Sequence, residues 1–272
     1  MRGGTAGCWT AARMLTRGAG QSNGGTAGMD GKRVELLAAG MAHNLNNVLT
    51  SMMCGSEWAL SQLGDHPARA AVELVARSSH ETAELVSRLM AYTGIGPVIA
   101  SEVNLSALAA RVVESLRGSI PPNLHLRLDL AACVPMMAAD GRRIEQLIRI
   151  LLDNSIEAIG EGGGAIGIRI GVEPRPAGSG AGQPDSGVFA CLEVRDTGCG
   201  MDAAEMRRIF EPFFSTKGVG RGLGLAAVSG IVRTHRGSIG VESSPGSGSV
   251  FRVRFPAWPP DDWDWAAEEK AA

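Results

Sequence analysis

Asp196-Thr197-Gly198-Cys199-Gly200, followed about twenty residues later by Gly220-Arg221-Gly222-Leu223-Gly224-Leu225, sets a carboxylate and closely spaced glycines where one ligand could meet them all. Upstream, Leu151-Leu152-Asp153-Asn154-Ser155-Ile156-Glu157-Ala158 offers a side-chain amide and, one helical turn later, a carboxylate. A carboxylate such as Asp196 can accept an amino proton of a nucleobase, and glycines let backbone amides come close to a base or to phosphates. The amide oxygen of Asn154 is a hard ligand of the kind Mg²⁺ takes beside waters and phosphate oxygens. Near the start, His43 is followed by Asn44 and Asn47. A neutral imidazole nitrogen is nucleophilic near pH 7. One glycine turn would be a weak signal in a chain with 37 glycines. Three stretches in this order are a strong one.

Together they resemble the N box and the two glycine boxes of the GHKL ATP-binding fold, which histidine kinases, gyrase, chaperone and mismatch-repair ATPases share. Leu37 to Thr50, around His43, resembles the H box of sensor histidine kinases, and Ile209 to Lys217 looks like their F box. The resemblance covers about Arg33 to Pro256 and is tightest from Gly220 onward. It implies ATP and Mg²⁺ as cofactors, with Asp196 at the adenine, Ser249 in its water network and Asn154 on the metal. Glu157 would help hold the metal or the nucleophile. Gly198, Gly200, Gly220, Gly222, Leu223, Gly224 and Leu225 would line the nucleotide, with Lys217 on a lid running roughly from Phe213 to Arg221. His43 would receive the γ-phosphoryl group and pass it to an aspartate of a response regulator receiver domain. Asn47, one turn beyond on the same face, would orient water for dephosphorylating that partner.

Two positions depart from the family pattern. Asn44 stands where the family carries the Asp or Glu that takes the imidazole proton. Ile150 stands four residues before Asn154, where gyrase-type hydrolases carry a water-activating Glu. The resemblance therefore implies a histidine kinase, with two rivals. One is an ATP-regulated histidine phosphotransferase or phosphatase with weak autokinase activity, which Asn44 favours. The other is a GHKL ATPase clamp, which Ile150 and the H box disfavour.

The elements that must position these residues follow from periodicity. Arg33 to Leu63 reads as one helix with Val34, Leu37, Met41, Leu45, Val48, Met52, Gly55 and Ala59 on one stripe. His43, two residues past Met41, falls about 200° around the helix and away from that stripe. Gly64 to Pro67 breaks the helix, and Ala68 to Thr93 forms a second with Ala71, Val75, Ser78, Thr82, Leu85 and Leu89 along one face. Two single-stripe helices are satisfied by a hairpin that dimerises into a four-helix bundle. After a linker at Gly94 to Pro97, strands at Leu124–Leu130, Ala165–Val172, Val188–Arg195, Ser238–Glu242 and Ser249–Phe255 alternate with helices at Gly141–Ile159 and Leu223–Thr234. The fold class is α+β: residues 31–95 as the hairpin, residues 101–257 as an α/β sandwich, residues 1–30 as a disordered tail and residues 258–272 as an acidic one.

Composition closes off other classes. A net charge of −2 gives no reason to expect nucleic acid as partner, and no apolar run suits direct membrane insertion. Five scattered cysteines lack metal-ligand spacing, and no signal peptide is visible, so the chain reads as cytoplasmic. A separate sensor protein would then supply the input, with a homodimer as the working unit. His66, His80, His125 and His235 read as surface or packing histidines.

Overall fold

The computed structural model describes residues 27–94, 98–174, 188–216 and 222–257, with side chains of the first helix described from Asn44 on. Residues 1–26 and 258–272, Lys217 and Gly220, and the side chain of His43 lie outside the described residues. Helices α1 (Ala27–Leu63) and α2 (Arg69–Thr93) form the hairpin, broken between them by Gly64 and Pro67. Gly94 ends α2 in the left-handed conformation, its N–H donating to the Met90 carbonyl at 3.1 Å. Helix α1 begins six residues before the expected Arg33, through Gly28 and Gly31. Each glycine costs a helix about 1 kcal/mol relative to alanine, and extending a helix already nucleated offsets that.

The seam between α1 and α2 leaves most of the two apolar stripes read from the sequence outside it. Leu49 of α1 and Val86 of α2 form its buried cluster, with Ala83 and Met90 packed alongside, and Ser56 of α1 and Ser79 of α2 are buried as well. Ala71, Val75, Ser78, Thr82, Leu85 and Leu89 all face outward, as do Leu45, Val48 and Met52. Ser56 donates to the Met52 carbonyl and Ser79 to the Val75 carbonyl within their own helices, so their buried hydroxyls are satisfied. The larger apolar stripes remain on the outside of the hairpin.

The rest of the chain is a two-layer sandwich. Its elements are β1 (Ser101–Val103), α3 (Leu105–Leu116), β2 (Leu124–Leu130), β3 (Met137–Ala139), α4 (Gly141–Ile159), β4 (Gly164–Pro174), β5 (Val188–Asp196), α5 (Ala203–Arg208), α6 (Gly224–Thr234), β6 (Ser238–Ser243) and β7 (Ser249–Pro256). The main sheet runs β2-β4-β5-β7-β6, with one parallel pair, β2 on β4, in an otherwise antiparallel order. A small β1–β3 ladder was not foreseen. Strict alternation buries one face of each central strand: Ala190, Leu192, Val194 and Asp196 on β5, and Ser249, Phe251, Val253 and Phe255 on β7. The period of two thus delivers Asp196 and Ser249 to the helix-covered face, at the same end of neighbouring strands. Helices α3, α4 and α6 close that face over one apolar core.

His66, His80 and His125 are exposed, whereas His235 is buried and tied into the start of α4. Its Nδ1 lies 2.7 Å from the Ile231 carbonyl, and its Nε2 accepts from the Asp140 N–H at 3.0 Å. Asp140 in turn caps α4 through the N–H groups of Arg142 and Arg143. Thr234 Oγ1 and the Phe255 ring complete the surroundings. The bonding fits a neutral ring, Nδ1–H donating and Nε2 accepting. Burial holds the pKa of His235 below its ordinary 6.5, with the Arg143 charge acting in the same sense against the Ile231 carbonyl and Asp140. A depressed histidine pKa means the unfolded chain binds the proton first, so this part of the stability is complete above about pH 6.5 and is lost as pH falls below it. Urea melts at pH 8, 7, 6 and 5 should show the midpoint falling below pH 6.5. His235→Gln should be less stable at pH 8 but flatter across the series, and a wild-type slope no steeper than the variant's would contradict this account.

Candidate active site

A cavity of about 470 Å³ opens between α4, the start of α6, the turn after β5 and one edge of α2. At its inner end Asp196 is 3% exposed, and its Oδ1 accepts from the N–H groups of Gly198 at 2.8 Å and Ser249 at 3.2 Å. The Ser249 hydroxyl lies 3.0 Å from that of Ser243, which donates to the Gly248 carbonyl and accepts from the Met201 N–H. These bonds fix the turn carrying Gly200, which reaches the cavity wall.

Helix α4 contributes the second wall. Its core face is Ile144, Leu147, Ile148, Leu151 and Leu152, while Ile150, Asp153, Asn154 and Glu157 turn to the cavity. Asn154 Nδ2 is buried and has no hydrogen-bond partner among the described residues. A buried unpaired amide costs about 1–3 kcal/mol, so it marks a place where a ligand belongs. At the rim, withdrawal from water pushes the Asp153 carboxyl above its ordinary range, and the nearby Arg88 guanidinium partly restores it.

The third wall is the N-terminal end of α6. Gly222, Leu223, Gly224 and Leu225 all line the cavity, and no side chain caps the helix. Its first amides are therefore open to an anion, with the helix dipole favouring negative charge. Gly222 has φ +104°, and a Cβ there would sit 2.5 Å from the Phe214 carbonyl oxygen. Its own carbonyl accepts from the Phe213 N–H at 3.1 Å, so the two ends of the expected lid are joined at its base. Arg208 stacks over the Phe214 ring at 4.3 Å and steadies that base.

The structure thus gathers Asn154, Glu157, Asp196, Gly200, Gly222, Leu223, Gly224, Leu225 and Ser249 around one cavity. Gly198 packs against α4. A Cβ there would meet the Ala158 backbone at 2.6–2.8 Å, so its close approach is to α4 and it does not line the cavity. Asn44 and Asn47 are exposed on α1 and lie outside the cavity. Leu85 and Arg88 of α2 line it without having been foreseen. In sequence Glu84 and Arg88 read as an ordinary surface pair four residues apart, which hid them.

Residues 139–259 match the family described as histidine kinase-, DNA gyrase B- and HSP90-like ATPase. The chain is 30% identical over 246 residues to the sensor kinase CckA of Brucella abortus (strain 2308), covering 86% of this chain and 26% of that protein. It is 31% identical over 224 residues to the sensor histidine kinase ZraS of Klebsiella oxytoca, covering 81% of this chain and 45% of that one. It therefore spans less than half the length of these relatives. A crystal structure of full-length ShkA in complex with AMPPNP has the same fold at a TM-score of 0.65 and 20% identity, over 82% of this chain and 46% of that one. The cavity thus lies within the part of the chain, residues 139–259, that matches the histidine kinase-, DNA gyrase B- and HSP90-like ATPase family, with Leu85 and Arg88 reaching it from α2, and the relatives that match most of this chain's length are sensor histidine kinases.

Proposed function

We propose that the chain is a two-component histidine kinase that binds ATP with Mg²⁺, phosphorylates His43 and passes the phosphoryl group to an aspartate of a response regulator receiver domain. The observation that carries this reading is the unpartnered Nδ2 of Asn154, a donor suited to a phosphate oxygen, in a cavity that also holds Asp196 and the uncapped amides of α6. Asp196 orients the base, the amides of α6 hold phosphate oxygens, and Asn154 and Glu157 hold the ion. When bound, Mg²⁺ neutralises charge on the phosphates. In the transfer, a ring nitrogen of His43 forms a bond to the γ-phosphorus while the bond to the β-phosphate oxygen breaks. ADP leaves and the ring gives up its other proton. Lys217 and Gly220 remain proposed lid contacts to the phosphates. Residues 31–95 would carry the phosphoacceptor, residues 101–257 would bind nucleotide, and the cytoplasm is where such a regulator and ATP meet. The test is to incubate purified protein with γ-labelled ATP and look for an acid-labile, base-stable label that disappears in His43→Gln. Robust ATP binding with no label under any condition would sink the kinase assignment.

A second reading is favoured by Asn44, exposed on α1 beside the phosphoacceptor. An ATP-regulated phosphotransferase or phosphatase would use His43 and Asn47 while making little phosphohistidine from ATP. It predicts loss of label from a phosphorylated regulator that depends on Asn47 and exceeds the rate of its gain. The clamp reading is weakened by Ile150, which is 4% exposed and lines the cavity, so an apolar side chain stands where a hydrolase needs a base.

The outward stripes of the hairpin support a homodimer. Leu45, Val48 and Met52 on α1, with Val75 and Leu89 on α2, are each 41–57% exposed. Burying such side chains contributes about 1.5–3 kcal/mol apiece, which a second copy of the hairpin would supply. Light scattering should report a dimer, and Val48→Glu with Met52→Glu should give a monomer that still binds nucleotide. A wild-type monomer at tens of micromolar would sink the bundle.

A further inference from the structure

We propose that Arg88, carried on the second helix of the hairpin, is a nucleotide-binding residue that contacts the terminal phosphate, so that the hairpin completes the ATP site. The proposal rests on the kinase reading above. Arg88 lines the nucleotide cavity beside Asp153 and Asn154. It also borders a second cleft of about 680 Å³ between α2 and α4, whose far wall includes Asn46, one turn beyond His43. Arg88, Ile150 and Asp153 are the side chains that the two spaces share. A phosphoryl group leaving the cavity towards α1 passes them, and Arg88 is the cation among the three.

The chain fixes where Arg88 stands. On one side of it Ser87 Oγ accepts from Gln146 Nε2 of α4 at 3.0 Å. On the other, the Tyr92 carbonyl accepts from Arg233 Nη2 of α6 at 2.8 Å. Gly230 of α6 comes so close to the last turn of α2 that a Cβ there would overlap the Ala91 carbonyl oxygen. The backbone of Arg88 is thus tied to both helical walls of the cavity. Its side chain is held only loosely: Glu84 Oε2 lies 3.4 Å away and is 71% exposed. A planar guanidinium with a weak carboxylate partner is suited to exchange it for phosphate oxygens, which it can meet with two parallel N–H bonds.

Calorimetry on the full chain with Mg-ATP and Mg-ADP tests this. Arg88→Ala should weaken ATP about tenfold or more, as for loss of a charge-assisted hydrogen bond, and ADP much less. Arg88→Lys should recover part of the loss, and Glu84→Ala, which removes only the resting partner, should leave ATP binding as tight or tighter. If Glu84→Ala weakens ATP as Arg88→Ala does, Arg88 acts by bracing α2 and the proposal is overturned. Equal ATP affinity in wild type and Arg88→Ala overturns it as well, with the kinase reading left standing. A wild type that binds no nucleotide overturns both.

Discussion

Asn44→Asp is expected to raise the rate of ATP-dependent labelling of His43 at least about tenfold, and His43→Gln to remove the label in either background. A carboxylate beside the imidazole takes the ring proton, or stabilises the imidazolium, as the nitrogen attacks phosphorus. General-base help of this kind is worth about 10²–10⁴-fold, so tenfold is its conservative end. The amide of Asn44 can accept a hydrogen bond from the ring and fix its tautomer, but it brings no negative charge. The position is exposed on α1 and away from the core, so the exchange to Asp should alter stability little. Phosphate transfer to and from the regulator should then diverge between the two proteins, fast gain of label in the variant against Asn47-dependent loss in the wild type. The measurement is a single-turnover time course with labelled ATP. If the wild type already labels within seconds and Asn44→Asp leaves the rate unchanged, the base is elsewhere in the protein.

Asn154→Ala should separate stability from function. The buried Nδ2 has no hydrogen-bond partner among the described residues, so the folded apo protein carries an unmet desolvation cost. Truncating the side chain removes that cost and places the best helix former within α4. The variant should therefore melt at or above the wild-type midpoint, by an amount equivalent to about 1–3 kcal/mol. On the proposed reading, in which the Asn154 Oδ1 would hold Mg²⁺, Mg-dependent ATP binding should fall about 100-fold or more. A merely structural asparagine would move both quantities downward together. Calorimetry with and without Mg²⁺, paired with thermal melts, reads both. Unchanged Mg-ATP affinity would mean that the ion is held by other groups.

Much of the nucleotide cavity was legible because its chemistry admits few residue types. Asp196 sits at the end of a strand whose alternation can be followed from Ala190, and that period alone predicts which way the carboxylate points. Asn154 and Glu157 are one turn apart on a helix whose opposite face is wholly apolar. The seam of the hairpin was not legible, because α1 and α2 carry more apolar side chains than one seam can bury. The packing of Gly198 was not legible for a related reason: a glycine that packs closely against Ala158 looks the same in sequence as one needed for a phosphate. Arg88 gave no signal, since its role depends on α2 lying against α6, a contact between residues 141 positions apart in the case of Tyr92 and Arg233.

Ile150 bears on timing. Its side chain occupies the wall of the cavity four residues before Asn154 and presents methyl groups to the space there. An apolar side chain at that position offers no base of its own to a water beside it, so on the kinase reading a bound nucleotide would persist until an acceptor nitrogen reached it. On the kinase reading proposed above, occupancy would then be separated from consumption, with the time needed to capture ATP falling outside the interval between stimulus and transfer.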